Sequence, residues 1–394
     1  MTHRVAIVGA GPSGFYAADG LLRGRPDLRI DIIDRLPTPY GLVRAGVAPD
    51  HQGTKAVVRQ FDKLLDQPDL RFAGGLDIGR DLTWDELVAA YDAVIVATGM
   101  VIDRKLGISG EDLPHVWGSW RFVAWLNGHP DFREGPDLSA VKSVAVIGNG
   151  NVALDVARLL AKTPDEMVKS DIVPEAAAAI AAAPLIDIHL IGRRGAEHAS
   201  FTNNELAEMG RLARAVAVAD ASVLDAVAPA ADPTPERLRK AKNIETLKGF
   251  VAHKPGEKPV TVHFRFHEAP KAIRPGEIEL STGAIPADLV VTCIGYTGEE
   301  FPKSDGVFAV GWAKRGPSGT IPTNRADSHA VAKDVIAWLE DRDPKSGPDI
   351  LPLAVDAEGW RRIDKAEVAA GAAQGRPRLK LVDRQTLLDI AQGG

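Results

Sequence analysis

Two glycine-rich turns carry the chemistry this chain can do. They are Gly9-Ala10-Gly11-Pro12-Ser13-Gly14 and, about 140 residues later, Gly148-Asn149-Gly150-Asn151-Val152-Ala153. Each follows an apolar run, residues 5–8 and 144–147. In such a turn the first glycine permits the tight bend and the second lets the backbone approach a pyrophosphate. The third position lets the following helix pack closely on its strand, and Ala153 is the permitted variant there. The helix N-terminus then offers unpaired N–H groups and a positive dipole end to phosphates. Two such turns imply two bound dinucleotides, and so the passage of electrons from one to the other.

The residues that end each companion strand tell the two sites apart. Asp34 stands 20 residues after Gly14. A carboxylate there hydrogen-bonds ribose hydroxyls and repels a 2′-phosphate, which favours FAD or NAD over NADP. The Pro- and Gly-rich stretch from Leu36 to His51 is long for a compact domain, and loops of that length are usually functional. Backbone of this kind can line an extended ring system, which selects FAD. At the second turn the companion strand, residues 186–191, ends in Gly192-Arg193-Arg194. Guanidinium forks match a phosphate in geometry and charge, so this site favours NADPH over NADH.

The elements that must hold these turns read as α/β. A strand at residues 4–8, a helix over 14–23 and a strand at 29–33 precede a short helix at 84–91. The run Ala93-Val94-Ile95-Val96-Ala97-Thr98-Gly99 closes this half. The pattern restarts at 144–147, with a helix over 152–161 and a strand at 186–191, and closes with the run at 288–295. Each half is thus a doubly wound, Rossmann-like unit. A strand at 307–310 and helical spacing at 326–340 are expected to return to the first unit, with residues 344–352 as a Pro-rich connector. This predicts an FAD-binding domain of residues 1–105 and 302–394, with an NADP-binding domain, 106–301, inserted into it.

Composition sets limits on function. The 394 residues are enough for two to three domains; 45% are hydrophobic and 25% charged, as in ordinary globular proteins. A net charge of −6 provides no global field for nucleic acid. Cys293 is the only cysteine, which excludes a disulfide, a Cys-x-x-Cys redox pair and an iron–sulfur cluster on the chain's own thiols. A pyridine nucleotide–disulfide reductase activity is excluded with them. No metal-ligand set is expected. No apolar run reaches the roughly 20 residues needed to span a bilayer, the alanine-rich residues 176–183 read as an ordinary helix, and a strand from about residue 4 leaves no room for a leader. These features predict a cytoplasmic protein.

Longer motifs are more specific. They include Gly41-Leu42-Val43-Arg44-Ala45-Gly46-Val47-Ala48-Pro49-Asp50-His51, Gly150-Asn151-Val152-Ala153-Leu154-Asp155-Val156-Ala157-Arg158 and Gly192-Arg193-Arg194-Gly195. Near the end come Gly311-Trp312-Ala313-Lys314-Arg315-Gly316-Pro317-Ser318-Gly319-Thr320-Ile321 and Gly375-Arg376-Pro377-Arg378. By these motifs the chain resembles, almost end to end, the adrenodoxin reductase-like ferredoxin–NADP reductases, which are two-dinucleotide flavoproteins. The resemblance implies FAD in the first domain and NADP(H) in the second. It implies hydride transfer from NADPH to the flavin, then single electrons to a ferredoxin-type iron–sulfur protein.

The resemblance also implies residue roles. Gly311, Trp312, Gly319, Thr320 and Ile321 would line the flavin ring, and Trp312 would also shield the nicotinamide site. Pro12, Ser13, Arg35, Gly41, Leu42, Val47, Thr98 and Gly99 would contribute to FAD. Asn151 and Val152 would contact the NADP pyrophosphate, and Arg193 and Arg194 the 2′-phosphate. Glu205 would lie near the nicotinamide half, and His51 and Asp155 near the reacting rings. His51 reads as a polar neighbour that relays a proton or as a loop histidine bonded to backbone. The residues flanking Trp312 predict a loop.

The stretches at 210–285 and between Tyr296 and Gly311 are short for the family. Within residues 233–255 lie Arg237, Arg239, Lys240, Lys242, Lys248 and Lys254, with Arg211 and Arg214 upstream. They read either as a docking stripe for an acidic ferredoxin or as a solvated helical face. Two other functions stay open on the residues alone. One is an NADPH-dependent flavin monooxygenase, the other a flavoprotein electron-transfer subunit of a fixed partner enzyme.

Overall fold

In a computed structural model of the chain, residues 2–225, 234–319, 321–346, 349–352 and 354–393 are described. The chain divides into two compact units. The first comprises Met1–Ile102, Asn127–Arg133 and Tyr296–Gly394, and the second Asp103–Leu126 and Glu134–Gly295. Residues 127–133, which sequence alone places in the second domain, thus belong to the first unit. Tertiary pairs hold them there: Lys55 Nζ donates to Asn127 Oδ1 at 2.7 Å, and Arg35 pairs with Asp131 at 2.5 Å. No helix among the described residues is long and apolar enough to cross a membrane.

The first unit is built on a parallel five-stranded sheet in the order Val307–Ala309, Ala93–Val96, Arg4–Val8, Arg29–Asp34, Leu70–Gly74. Both faces of its central strand are buried, so the strand reads as a continuous apolar run. Val5 and Ile7 pack into one core cluster, Ala6 and Val8 into the other. Helix Pro12–Gly24 follows the first glycine turn, with Pro12 at its start, where a missing N–H costs nothing. Helix Ile321–Glu340 lies against it. A Cβ at Gly20 would stand 2.8 Å from the Ala332 Cβ, so this close approach depends on glycine. Ser328 Oγ donates to Ser13 O at 3.0 Å, and His329 meets Asp19 at 3.0 Å. These contacts draw the C-terminal segment back into the first unit.

The second unit has a six-stranded sheet in the order Val116–Gly118, Leu289–Thr292, Ser143–Ile147, Asp187–Ile191, Val260–Arg265, Ala215–Ala219, with every pairing parallel. A three-stranded antiparallel sheet, Pro270–Arg274, Gly276–Leu280 and Gly283–Ala287, covers part of one face through Ile273, Ile278 and Leu280. Sequence reading does not resolve this small sheet, because its alternation is broken by Pro270, Gly276 and Gly283.

Two buried histidines give the fold a pH dependence. His189 stacks on His263 with ring centroids 4.6 Å apart, and burial, with His263 and Arg265 beside it, lowers its pKa to about 3. Burial likewise lowers His129 to about 4, against the pull of Asp131. Both are neutral in the fold. The unfolded chain takes up their protons below about pH 6.5, so their contribution is complete above that pH and is lost as pH falls. The loss is about 1.4 kcal/mol per pH unit for each group until its folded pKa is reached. The urea midpoint is expected to drop between pH 7 and pH 4.5, less steeply in His189→Gln. A slope identical in His189→Gln and the parent would contradict this role for His189.

Candidate functional site

Each unit carries its glycine turn at the carboxyl end of a central strand, where the strand order reverses. Open α/β sheets bind ligands at that point. The two turns are built alike. Gly9 N–H donates to Ile33 O at 2.7 Å, and Gly148 N–H donates to Ile191 O at 2.9 Å. Gly9 has φ +111° and Gly148 φ +139°, conformations that glycine alone adopts readily. A Cβ would come within 2.5 Å of Ala97 O at Gly9 and within 2.3 Å of Cys293 O at Gly148. The helices start immediately after the second glycines, at Pro12 and Asn151.

In the first unit Gly14 could not carry a side chain, since its Cβ would stand 2.1 Å from Gly9 O. Gly11 differs, because a Cβ there would meet nothing within 4 Å. That open space above the helix N-terminus leaves room for a pyrophosphate, so the residues present fit FAD. Asp34 is half-buried, and its carboxylate accepts Ala10 N–H at 2.7 Å and Leu36 N–H at 2.9 Å. Burial raises its pKa; these two donors and the Arg35 and Arg384 charges pull the other way. Asp34 thus shapes the turn. The Arg35 guanidinium is held in an ion pair by Asp131.

The loop after Asp34 closes over the turn. Tyr40 N–H donates to Ala10 O at 2.7 Å, and a Cβ on Gly41 would stand 3.0 Å from Gly11 Cα. Tyr40 is held at φ 82° by its buried phenol, which donates to Asp62 and accepts Trp360 Nε1–H at 3.1 Å. Leu42 O accepts Val47 N–H at 2.7 Å, and Arg44 forms a two-pronged pair with the buried Glu367 at 2.9 and 2.5 Å. Burial opposes ionisation of Glu367, but Arg44 and Arg378 outweigh it and hold the carboxyl below its ordinary value. Helix Ala357–Ala372, which carries Trp360 and Glu367, therefore braces the loop, a role the sequence does not disclose. His51 is partly exposed and begins a short helical turn, Gln52–Lys55. Thr98 is exposed, and Gly99, at φ +70°, faces open space.

At the end of the chain, a Cβ on Gly311 would stand 2.0 Å from Ser13 Oγ, so Gly311 and Ser13 come together. Gly311 N–H donates to Asp327 Oδ2 at 2.6 Å. Trp312 corrects an expectation: it opens a short helix, Trp312–Arg315, rather than lying in a loop. The helix forms because Gly311 and Gly316, at φ 65° and 83°, bend the chain on either side of it. Trp312 stacks on Tyr296 with centroids 6.0 Å apart and donates from Nε1 to Ser318 O at 3.1 Å. Gly319 has φ +83° and Ile321 begins the long helix, whereas Thr320 lies outside the described residues.

In the second unit Arg193 and Arg194 are both exposed beyond the end of their strand. Among the described residues neither guanidinium has an ion-pair partner, which leaves two cations free for an anionic ligand. Asn151 turns its Oδ1 to accept Thr202 N–H at 2.7 Å and so fixes the loop before helix Asn203–Met209. Val152 is half-buried and Ala153 fully buried, as the helix-packing position requires. Asp155 is tied at 2.5 Å to Arg158, which is fully buried and also pairs with Glu208 at 3.2 Å. Glu205 lies in the first turn of helix Asn203–Met209, where a negative charge suits the dipole. Cys293 is half-buried, and desolvation of its thiol raises the pKa, which keeps it protonated.

The basic stripe is only partly free. Arg214 donates to Leu160 O and Ala161 O at 2.7 and 3.1 Å, and Arg239 donates to Phe201 O at 2.9 Å. Lys240 pairs with Glu236, while Lys242 and Lys254 are exposed.

Residues 3–185 match the family described as pyridine nucleotide-disulphide oxidoreductase. The NADPH-ferredoxin reductase FprA of Mycobacterium tuberculosis is 36% identical over 453 aligned residues, covering 99% of each chain. The chain belongs to the adrenodoxin reductase-like ferredoxin–NADP reductase family. Within this family it is also 35% identical to the mitochondrial NADPH:adrenodoxin oxidoreductase of Drosophila melanogaster, covering 99% of this chain and 94% of the relative. The solved structure of Mycobacterium tuberculosis FprA in complex with NADPH matches with a TM-score of 0.93 at 35% identity, covering all of both chains. The FprA alignment spans more positions than the 394 residues here, so it opens gaps in this chain.

Proposed function

We propose that this chain is an NADPH-dependent FAD reductase that passes single electrons to a ferredoxin-type iron–sulfur protein. The observation that carries the reading is a pair of like-built glycine turns with opposite companions, Asp34 at one and, at the other, Arg193 and Arg194, which have no ion-pair partner among the described residues. We assign FAD to the first unit and NADP(H) to the second. The full-length likeness to NADPH-ferredoxin reductases supports both assignments. FAD, when bound, accepts two electrons from the nicotinamide and releases them one at a time.

The protein binds, orients and shields. The open space at Gly11 and the N–H groups of helix Pro12–Gly24 take the FAD pyrophosphate. Tyr40 and Gly41 close the loop over the turn, and Arg44 anchors that loop through Glu367. Gly311 and the Trp312 turn, fixed by Asp327 and Tyr296, line the ring. Asn151 and Val152 present the second helix N-terminus to the NADP pyrophosphate, and Arg193 and Arg194 hold the 2′-phosphate. His51, Asp155 and Glu205 supply polar groups toward the reacting rings, with Asp155 held in an ion pair by Arg158. A cytoplasmic setting fits a chain whose sequence holds a single cysteine.

The purified protein should be yellow and should reduce a ferredoxin with NADPH as donor, two ferredoxins per NADPH. NADPH consumption that rises only with a small organic substrate, yielding a hydroxylated product and no reduced ferredoxin, would overturn the acceptor assignment.

A further inference from the structure

The two glycine turns differ in one respect. At Gly11 the space for a Cβ is empty to 4 Å, but at Gly150 one atom stands in it, Ser200 Oγ, 3.3 Å from where the Cβ would be. The second glycine of such a turn is where the backbone approaches a pyrophosphate. A hydroxyl is therefore built into the phosphate space of the second unit and not of the first.

Ser200 is held there from several sides. Its N–H donates to Asn149 O at 2.8 Å, and its hydroxyl donates to the same oxygen at a longer 3.2 Å. Asn151 Oδ1 fixes the next turn of chain through Thr202 N–H at 2.7 Å. Arg239 donates to Ser200 O at 3.4 Å and Phe201 O at 2.9 Å, and Asn243 also donates to Phe201 O at 2.9 Å. The backbone is pinned while the residue stays exposed. A hydroxyl carries one proton on a free rotor. It can turn that proton from the Asn149 carbonyl, already satisfied by the Ser200 N–H, to a phosphate oxygen.

We infer that Ser200 is a ligand for the dinucleotide pyrophosphate, with Arg239 as the residue that positions it. The inference rests on the assignment of NADP(H) to this turn. Because the pyrophosphate is common to both nicotinamide dinucleotides, Ser200 strengthens NADP(H) and NAD(H) equally. It does not contribute to the choice between them, which belongs to Arg193 and Arg194.

The test is calorimetric titration of the FAD-loaded protein with NADP⁺ and with NAD⁺. Ser200→Ala should weaken both by about tenfold, the effect of losing one hydrogen bond to a charged group. The ratio of the two constants should not change. Ser200→Asp should weaken both further, since its carboxylate would face the phosphates. Wild-type affinity in Ser200→Ala overturns the proposal, whatever Ser200→Asp does. Weakening confined to NADP⁺ also overturns it, by placing Ser200 at the 2′-phosphate. A parent protein that binds neither dinucleotide removes the nucleotide reading of the turn itself, a separate failure.

Discussion

Gly11→Val is expected to fold normally and to emerge without flavin. Gly11 has φ −83° and ψ −178°, extended backbone that valine adopts without strain. A Cβ there meets no protein atom within 4 Å, so the side chain costs the apoprotein little. The space it fills is the one a pyrophosphate needs, and overlap with a phosphate group cannot be relieved by moving a helix N-terminus packed under the Tyr40–Gly41 loop. FAD affinity should fall by at least two orders of magnitude, with the far-UV dichroism and urea midpoint those of the apo parent. Gly14→Val supplies the contrast. Its Cβ would stand 2.1 Å from Gly9 O, so it should destabilise the unit itself. A yellow, stoichiometrically loaded Gly11→Val would contradict the placement of FAD.

The second large effect concerns the choice between nicotinamide dinucleotides. Arg193→Ala with Arg194→Ala should weaken NADPH while leaving NADH almost unchanged. A hydrogen bond to a charged group contributes about 1.5–3 kcal/mol. Losing two therefore predicts a fall of roughly 10²–10⁴-fold in kcat/KM for NADPH. Neither arginine has an intramolecular ion-pair partner among the described residues, so their removal leaves no buried charge unpaired and the fold should hold. The strand ahead of them is fixed by its pairing with Ser143–Ile147 and Val260–Arg265. Equal losses with NADPH and NADH would show that the pair acts on something other than the 2′-phosphate.

Much of this was legible in the residues, for a physical reason. Central parallel strands are buried on both faces and read as apolar runs, while glycine spacing in a phosphate turn is dictated by backbone geometry. Both are local in sequence. What escaped reading was set by distant partners. The Trp312 turn depends on Asp327 and on two left-handed glycines, so composition suggested a loop. Residues 127–133 join the first unit through Lys55 and Arg35, which no local pattern records. Asp155 is tied to Arg158, which in sequence is an ordinary helix arginine but in the fold is fully buried. Arg214 and Arg239 look like docking charges, yet both turn inward to cap carbonyl groups. Ser200 was unremarkable in sequence, because its meaning lies in the empty side-chain position of Gly150, 50 residues earlier.

In the proposed assignment one unit holds FAD, the other holds NADPH, and electrons pass from the second cofactor to the first. Anaerobic titration of the purified protein with NADPH, followed at the flavin absorption band, tests it most directly. One equivalent of NADPH should bleach the band, and NADH should do so only at much higher concentration. A protein without flavin that cannot be reconstituted with FAD, or a bound flavin that NADPH leaves oxidised, would overturn this assignment.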